Sequence, residues 1–291
     1  MLGTVEWSNS IIHGDAKTGL AQLPTNSVHC IVTSPPYYQQ RDYSTPLQIG
    51  NEASATDYIQ NLRAALSECY RVLVPDGTLW LNLGDKYDDG ELLGMPWQVA
   101  FALKADGWLL RSDIIWYKPN AMPSSVKNRP TTDHEYVFLF AKNEQYYYDI
   151  DAIREPHVTF TEKSRMKGGR NHFGKANSTP ELGKNAGNSN LHNGRWDQAF
   201  HPKGRNRRTV WEIPLSKSRE THFAVFPEKL VELCILAGCP EHGVVLDPFA
   251  GSGTTCVVAQ KLGRKFIGID SNPDYCEMAK KRLYQHNLFT L

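Results

Sequence analysis

Apolar residues in this chain alternate between two patterns: short β-branched runs, and longer stretches in which they recur every third or fourth position. The runs at 11–13, 29–33, 78–83, 109–117, 135–140, 243–246 and 265–269 predict strands. The helical period predicts helices over 16–23, 55–74, 97–105, 227–237 and 254–262. In the second of these, Ile59, Leu62, Leu66 and Tyr70 fall on one face, and Pro75-Asp76-Gly77 is expected to end it. A last helix should start at Pro273, with Asn272 as its cap. Strands alternating with helices give an α/β protein built on a Rossmann-like sheet with helices on both faces.

Between 161 and 210 neither period persists. That stretch is rich in Gly, Asn, Lys and Arg and poor in Val, Ile and Leu, so it reads either as a linker or as an irregular basic insertion that meets a polyanion. The expected organisation is residues 1–150 as the first part of the α/β domain, 151–210 as the insertion, and 211–291 as the second part. Charge sharpens this picture. The formal net charge is only +1, yet 161–210 holds 11 Lys and Arg against 3 Asp and Glu. Eleven cations with so few carboxylates could neutralise several phosphates of such a polyanion. Lys127, Arg129, Arg205, Arg207 and Arg208 are the candidate contacts, although a phosphate contact alone carries no sequence information.

The six cysteines are scattered without a CxxC pair or a His at ligand spacing, so they read as reduced, buried thiols and no metal site is expected. No basic-then-apolar leader or membrane-length apolar stretch occurs, and a soluble, cytoplasmic protein with no membrane partner is expected.

Two loops carry the candidate chemistry. The second strand delivers Ser34-Pro35-Pro36-Tyr37, and the strand at 243–246 delivers Asp247-Pro248-Phe249-Ala250-Gly251-Ser252-Gly253-Thr254. Both should leave the carboxyl edge of one sheet, where open α/β sheets bind ligands. In the glycine loop, Gly251 and Gly253 before a helix let a ligand approach backbone N–H groups. Asp270 closes the next strand 19 residues after Gly251, near the offset at which a carboxylate meets ribose hydroxyls. Cys256 stands where a dinucleotide fingerprint needs its third glycine, and no P-loop Lys follows. Asp247 and Phe249 instead suit a cofactor with a cationic amino acid end and an adenine ring, S-adenosyl-L-methionine. The plainer alternatives are that Asp270 is a turn residue, that Asp247 holds its own loop, and that Asp15 only caps the first helix.

In the other loop, two prolines fix an extended path and remove two N–H donors. The Ser34 hydroxyl and the Pro35 carbonyl are left as acceptors beside the Tyr37 ring. Such acceptors draw out the delocalised lone pair of an exocyclic amine, and a tyrosine face can stack a base extruded from a duplex. The alternative is a structural Pro-Pro turn with a packing tyrosine.

Taken with Leu81-Asn82-Leu83-Gly84-Asp85, the run Ile115-Trp116-Tyr117-Lys118-Pro119-Asn120, Arg129-Pro130, His134-Glu135-Tyr136 and Phe226-Pro227, these loops make the chain resemble the bacterial DNA amino-methyltransferases. Their order looks like the β class. The resemblance covers nearly all of the chain except 161–210. It implies that Ser34, Pro35, Pro36 and Tyr37 hold the target amine. It implies that Asp247, Phe249, Gly251, Gly253, Thr254 and Asp270 bind the cofactor, with Phe226 and Pro227 along its methionine end and Asp15 near its adenosine. The insertion would correspond to the target-recognition region. The Ser form of the tetrapeptide is more typical of N4-cytosine enzymes, Asp being the usual N6-adenine form. The expected reaction is direct methyl transfer to the N4 amine of a flipped cytosine in duplex DNA, the alternative target being the N6 amine of adenine. A companion restriction endonuclease and a homodimer are partners to look for.

Overall fold

The central apolar runs become strands here because their side chains are buried on both faces of a sheet, as a mostly parallel sheet requires. In chain order the computed structural model has β1 (Ser10–His13), α1 (Ala16–Ala21), β2 (Val28–Thr33), α2 (Ala55–Val72), β3 (Leu73–Leu83), β4 (Tyr87–Asp88), β5 (Glu91–Leu92) and α3 (Met95–Ala105). There follow β6 (Leu109–Tyr117), β7 (His134–Ala141), β8 (Val210–Glu212), α4 (Glu228–Gly238), β9 (Val244–Asp247), α5 (Thr254–Lys261), β10 (Lys265–Asp270) and α6 (Pro273–Phe289). The structure describes residues 7–41, 48–157, 203–215 and 226–289. They fall into two units, Met1–Tyr148 with Thr209–Leu291, and Asp149–Arg208.

Among the described residues the larger unit is built on one eight-stranded sheet in the order β1-β10-β9-β2-β3-β7-β6-β8. Its pairings are parallel except those of β7, which runs against both β3 and β6. Ile267, Leu246, Ile31, Leu79 and Phe140 are register partners across five strands and join the core with Leu20, Leu62 and Leu66 of the α1 and α2 region. The next row, Phe266, Val245, Cys30, Thr78 and Ala141, points to the other face. There the Thr78 hydroxyl donates to the Gly238 carbonyl of α4 at 3.0 Å. Helices α1, α2 and α3 pack side by side in one layer, and α4, α5 and α6 in the other.

The structure departs from the sequence pattern at three points. The sequence pattern ends α2 at Pro75 and begins the strand at Thr78, whereas β3 already starts at Leu73. Leu73 pairs with Val28 and Thr78 with Cys30, so Pro75-Asp76-Gly77 lies in a bulged stretch where a proline needs no ladder partner. Val210, expected in the insertion, belongs to β8, which pairs with β6. The β4–β5 hairpin has no signal in the pattern because each of its strands is two residues long. The basic stretch lies outside the described residues from 158 to 202. Among the described residues no helix is long and apolar enough to cross a membrane, and no cluster of His, Cys, Asp or Glu could hold a metal ion.

Candidate active site

The chain leaves β9 through α5 toward β10 and leaves β2 through α2 toward β3, in opposite directions across the sheet. The gap between the two strand ends is therefore the topological switch point. Two buried side chains join it: Thr33 at the end of β2 donates to Asp247 Oδ1 at 2.7 Å. Thr255 in the first turn of α5 donates to Asp247 Oδ2 at 2.7 Å, and the Phe249 N–H donates to Asp247 Oδ1 at 3.1 Å. Burial pushes the Asp247 carboxyl up to about 6, against the downward pull of those three donors.

Above this knot opens a cavity of about 650 Å³. Asp15 after β1, Ser34 and Pro36 after β2, Phe249 and Gly251 after β9, and Asp270 after β10 all line it, with Phe226 and Thr254. Gly251 and Gly253 have φ of +52° and +81°, values at which a side chain is strained. Gly253 also has no room, since a Cβ there would sit 2.6 Å from the Ala279 Cβ of α6, while at Gly251 it would meet only open space. Arg282 of α6 clamps the loop by donating to the Ser252 carbonyl at 2.8 Å and to the Thr254 hydroxyl at 3.1 Å.

Asp270 accepts the N–H of Gly251 at 2.8 Å and of Asn272 at 2.9 Å. Burial raises its carboxyl above the ordinary range despite these bonds. Asp15 does cap α1, accepting the Thr18 N–H at 3.0 Å and the Thr18 hydroxyl, yet it also faces the cavity. Partial burial pushes its carboxyl up, and the hydrogen bonds from Thr18 and neighbouring backbone outweigh this and hold it below the usual value. Asp247, Gly253 and Pro227 do not reach the cavity wall; Asp247 supports the loop from beneath, and Pro227 is the buried residue before α4.

The Ser-Pro-Pro-Tyr turn divides its members. Ser34 and Pro36 face the cavity, whereas Pro35 and Tyr37 do not line it. The Pro36 carbonyl is held by the Tyr58 hydroxyl of α2 at 3.0 Å. Tyr37 turns its hydroxyl inward to donate to Glu135 Oε2 at 2.7 Å, and its ring lies so close to Gly84 that a Cβ there would come 2.7 Å from Cε2. Burial, and then the adjacent Glu135 carboxylate, push the Tyr37 hydroxyl well above its ordinary value. Asn82 Nδ2 donates to the Tyr37 hydroxyl at 2.7 Å and to Glu135 Oε2 at 2.8 Å, and reaches Ser34 Oγ at 3.3 Å. Lys118 pairs with Glu135 Oε1.

Sequence reasoning places Asn82, Gly84, Lys118 and Glu135 in motifs but gives them no task. One signal was available: Asn82 interrupts the apolar run Leu79-Trp80-Leu81-Asn82-Leu83, and a polar residue buried there needs partners. Of the basic candidates, Lys127 is exposed on the β6–β7 loop, and the Arg129 guanidinium lies 3.4 Å over the Tyr87 ring centre. In the smaller unit, Arg205 Nε donates to Glu155 at 2.8 Å and Arg207 Nε to the Ile153 carbonyl at 2.9 Å. Both therefore commit donors within that unit, a use the charge count could not anticipate. Arg208 is also among its described residues.

The sequence profile described as DNA methylase, the N6/N4 methyltransferases, matches residues 28–281. The chain is 40% identical to the Type II methyltransferase M.Cfr9I of Citrobacter freundii over 94% of its length and 87% of that protein's. It is also 40% identical to the Type II methyltransferase M.SmaI of Serratia marcescens, with coverage of 95% and 91%. Among solved structures, the cytosine-N4-specific PvuII DNA methyltransferase superposes with a TM-score of 0.67 at 22% identity, covering 94% of this chain and 85% of that one, a likeness of fold. The Thermus thermophilus protein TTHA0409, solved with S-adenosyl-L-methionine, gives 0.59 at 26% identity, with coverage of 95% and 93%. The chain belongs to the N6/N4 DNA methylase family, a family of DNA methyltransferases.

Proposed function

We propose that this protein transfers a methyl group from S-adenosyl-L-methionine to the N4 amine of a cytosine extruded from duplex DNA. The observation that carries this reading is that Ser34 and Gly251, one from each end of the chain, line the same cavity. The residues present suit the cofactor. Asp270 would take the ribose hydroxyls and Asp15 the adenosine, while Phe249 and Phe226 offer apolar faces to the cavity and the open space at Gly251 lets a ligand approach the loop. The backbone before α5, pinned by Asp247 and Arg282, keeps that surface in shape.

When bound, the cofactor supplies an electrophilic methyl group on sulfur. The chain's own part is orientation: Ser34 accepts from the target amine, Pro36 is fixed by Tyr58, and the two loops bring amine and methyl group together. Holding reactants at about 3–3.5 Å in line supplies roughly 7–11 kcal/mol of the barrier. Flipping costs a few kcal/mol of stacking and pairing, which phosphate contacts elsewhere on the duplex offset. Lys127, Arg129 and Arg208 are the cations we assign to such contacts, with Arg205 and Arg207 as parts of the smaller unit that shape its surface.

Ser34, where N6-adenine enzymes usually carry Asp, supports cytosine as the target. The names of the Type II relatives support a restriction–modification setting with a companion endonuclease. Incubating the protein with labelled S-adenosyl-L-methionine and bacterial DNA, then digesting to nucleosides for mass spectrometry, tests the reading. Labelled N4-methylcytosine is expected; N6-methyladenine would overturn the base assignment, and no label in DNA would overturn methyl transfer.

A further inference from the structure

The hydrogen bonds behind Ser34 have a direction, and Glu135 sets it. A carboxylate only accepts, so the 2.7 Å bond between the Tyr37 hydroxyl and Glu135 Oε2 must use the single tyrosine proton. Ser34 Oγ lies 3.1 Å from the same hydroxyl, and with the tyrosine proton committed Ser34 must be the donor. The serine proton thus points away from the cavity, and what Ser34 turns toward a ligand is a lone pair. Asn82 reinforces this. Its Nδ2 faces the Ser34, Tyr37 and Glu135 oxygens, while its buried Oδ1 has no hydrogen-bond partner. Turning the amide over would set Oδ1 against the carboxylate at 2.8 Å, so the cluster holds a buried amide with one end unsatisfied.

We propose that Glu135 is a positioning residue which, acting through Tyr37, makes Ser34 an acceptor and so makes the site read an amine rather than a carbonyl on the target base. This rests on the proposed function in that it needs an amine-bearing base at Ser34. It adds the residue that discriminates cytosine from its 4-oxo counterpart, uracil. The same logic would separate adenine from hypoxanthine. A site built around an acceptor rejects a carbonyl because two lone pairs then face each other with no proton between them.

Glu135→Gln tests the direction. Lys118 beside Oε1 draws the amide oxygen of the new side chain and leaves its NH₂ facing Tyr37. The Asn82 amide then turns over so that its Oδ1, rather than a second NH₂, meets the new amide; the tyrosine proton is no longer held by a carboxylate, and Ser34 becomes free to donate into the cavity. Tyr37→Phe cuts the chain one step earlier and frees the serine proton in the same way.

The measurement is the Kd for two duplexes carrying the sequence that the wild-type protein methylates. One holds the normal target base and the other its oxo counterpart, and S-adenosyl-L-homocysteine is present at saturation. The wild type should prefer the amine duplex by about 10²-fold. In Glu135→Gln and in Tyr37→Phe the preference should shrink to within about threefold, mainly because the oxo duplex binds better. A folded variant that keeps the wild-type ratio would overturn the proposal, and so would an equal loss for both duplexes, the mark of a purely structural role. If Glu135→Gln does not fold, Tyr37→Phe decides alone. Wild-type methylation of DNA, scored in parallel, shows whether the underlying reading stands while this one fails.

Discussion

Thr33 and Asp247 are 214 positions apart in the chain and share a buried 2.7 Å hydrogen bond. That bond ties the strand delivering the Ser-Pro-Pro-Tyr turn to the strand delivering the glycine loop. Replacing Thr33 by Val keeps the shape and removes the donor, leaving a buried carboxylate one partner short. The expected cost is about 1–3 kcal/mol of stability, read from urea midpoints, with a weaker affinity for S-adenosyl-L-homocysteine by calorimetry. Unchanged values for both would show that the two loops are held in register by packing alone.

Asp247 also makes stability depend on pH. Burial places its folded-state value at about 6, above the ordinary 3.8, so between those values the folded state holds a proton that the unfolded state has lost. The contribution is complete below the lower value and disappears as pH rises through the higher one, at a cost of roughly 2–3 kcal/mol. Asp247→Asn has no such proton. Between pH 4 and 7 the wild type should therefore lose stability relative to the variant, and parallel curves would contradict the assignment.

Gly251 and Gly253 should fail in different ways. Gly253→Ala meets Ala279 at 2.6 Å and a φ of +81°, so it should lower stability by about 2–4 kcal/mol. Gly251→Ala meets nothing in the chain and carries only the cost of its φ, roughly 1–2 kcal/mol. Its new methyl group stands beside the cavity, however, and should weaken cofactor binding at least tenfold, about 1.4 kcal/mol. Thermal melts and calorimetry separate the two effects.

Gly84→Ala should act at a distance from the cavity. Its Cβ would press on the Tyr37 ring at 2.7 Å, and the ring cannot swing away while Glu135 and Asn82 hold its hydroxyl. Methyl transfer should fall while cofactor affinity stays near normal, because no cavity-lining cofactor residue moves. A parallel loss of both would place Gly84 in the scaffold instead.

Ser34→Ala removes the acceptor proposed for the target amine. Transfer should drop by about 10²–10³-fold, by analogy with the loss of one preorganised polar partner, with only a modest change in cofactor affinity. Single-turnover rates with labelled cofactor measure the first quantity and equilibrium dialysis the second.

The central strands Val28–Thr33, Val244–Asp247 and Lys265–Asp270 were legible in the sequence because their apolar runs are buried on both faces, and the more exposed Leu109–Tyr117 also falls where the pattern puts it. The path 73–77 was not, because a Pro-Asp-Gly turn signal and a bulge in a strand look alike until Leu73 is seen paired with Val28. The two ligand loops could be read because prolines and glycines constrain the backbone locally. What Asp247 does could not be, since its partners Thr33 and Thr255 come from separate elements. Tyr37 was expected to offer a stacking face, and its inward turn depends on Glu135, 98 positions away. Charge counting found the basic stretch but missed the use of Arg205 by Glu155.

If one cavity serves both cofactor and target base, a crystal structure with S-adenosyl-L-homocysteine bound will show the ligand between Phe249 and Asp270, with its sulfur on the side of Ser34 and Pro36. A ligand seated elsewhere, or with its sulfur turned away from that turn, would contradict it.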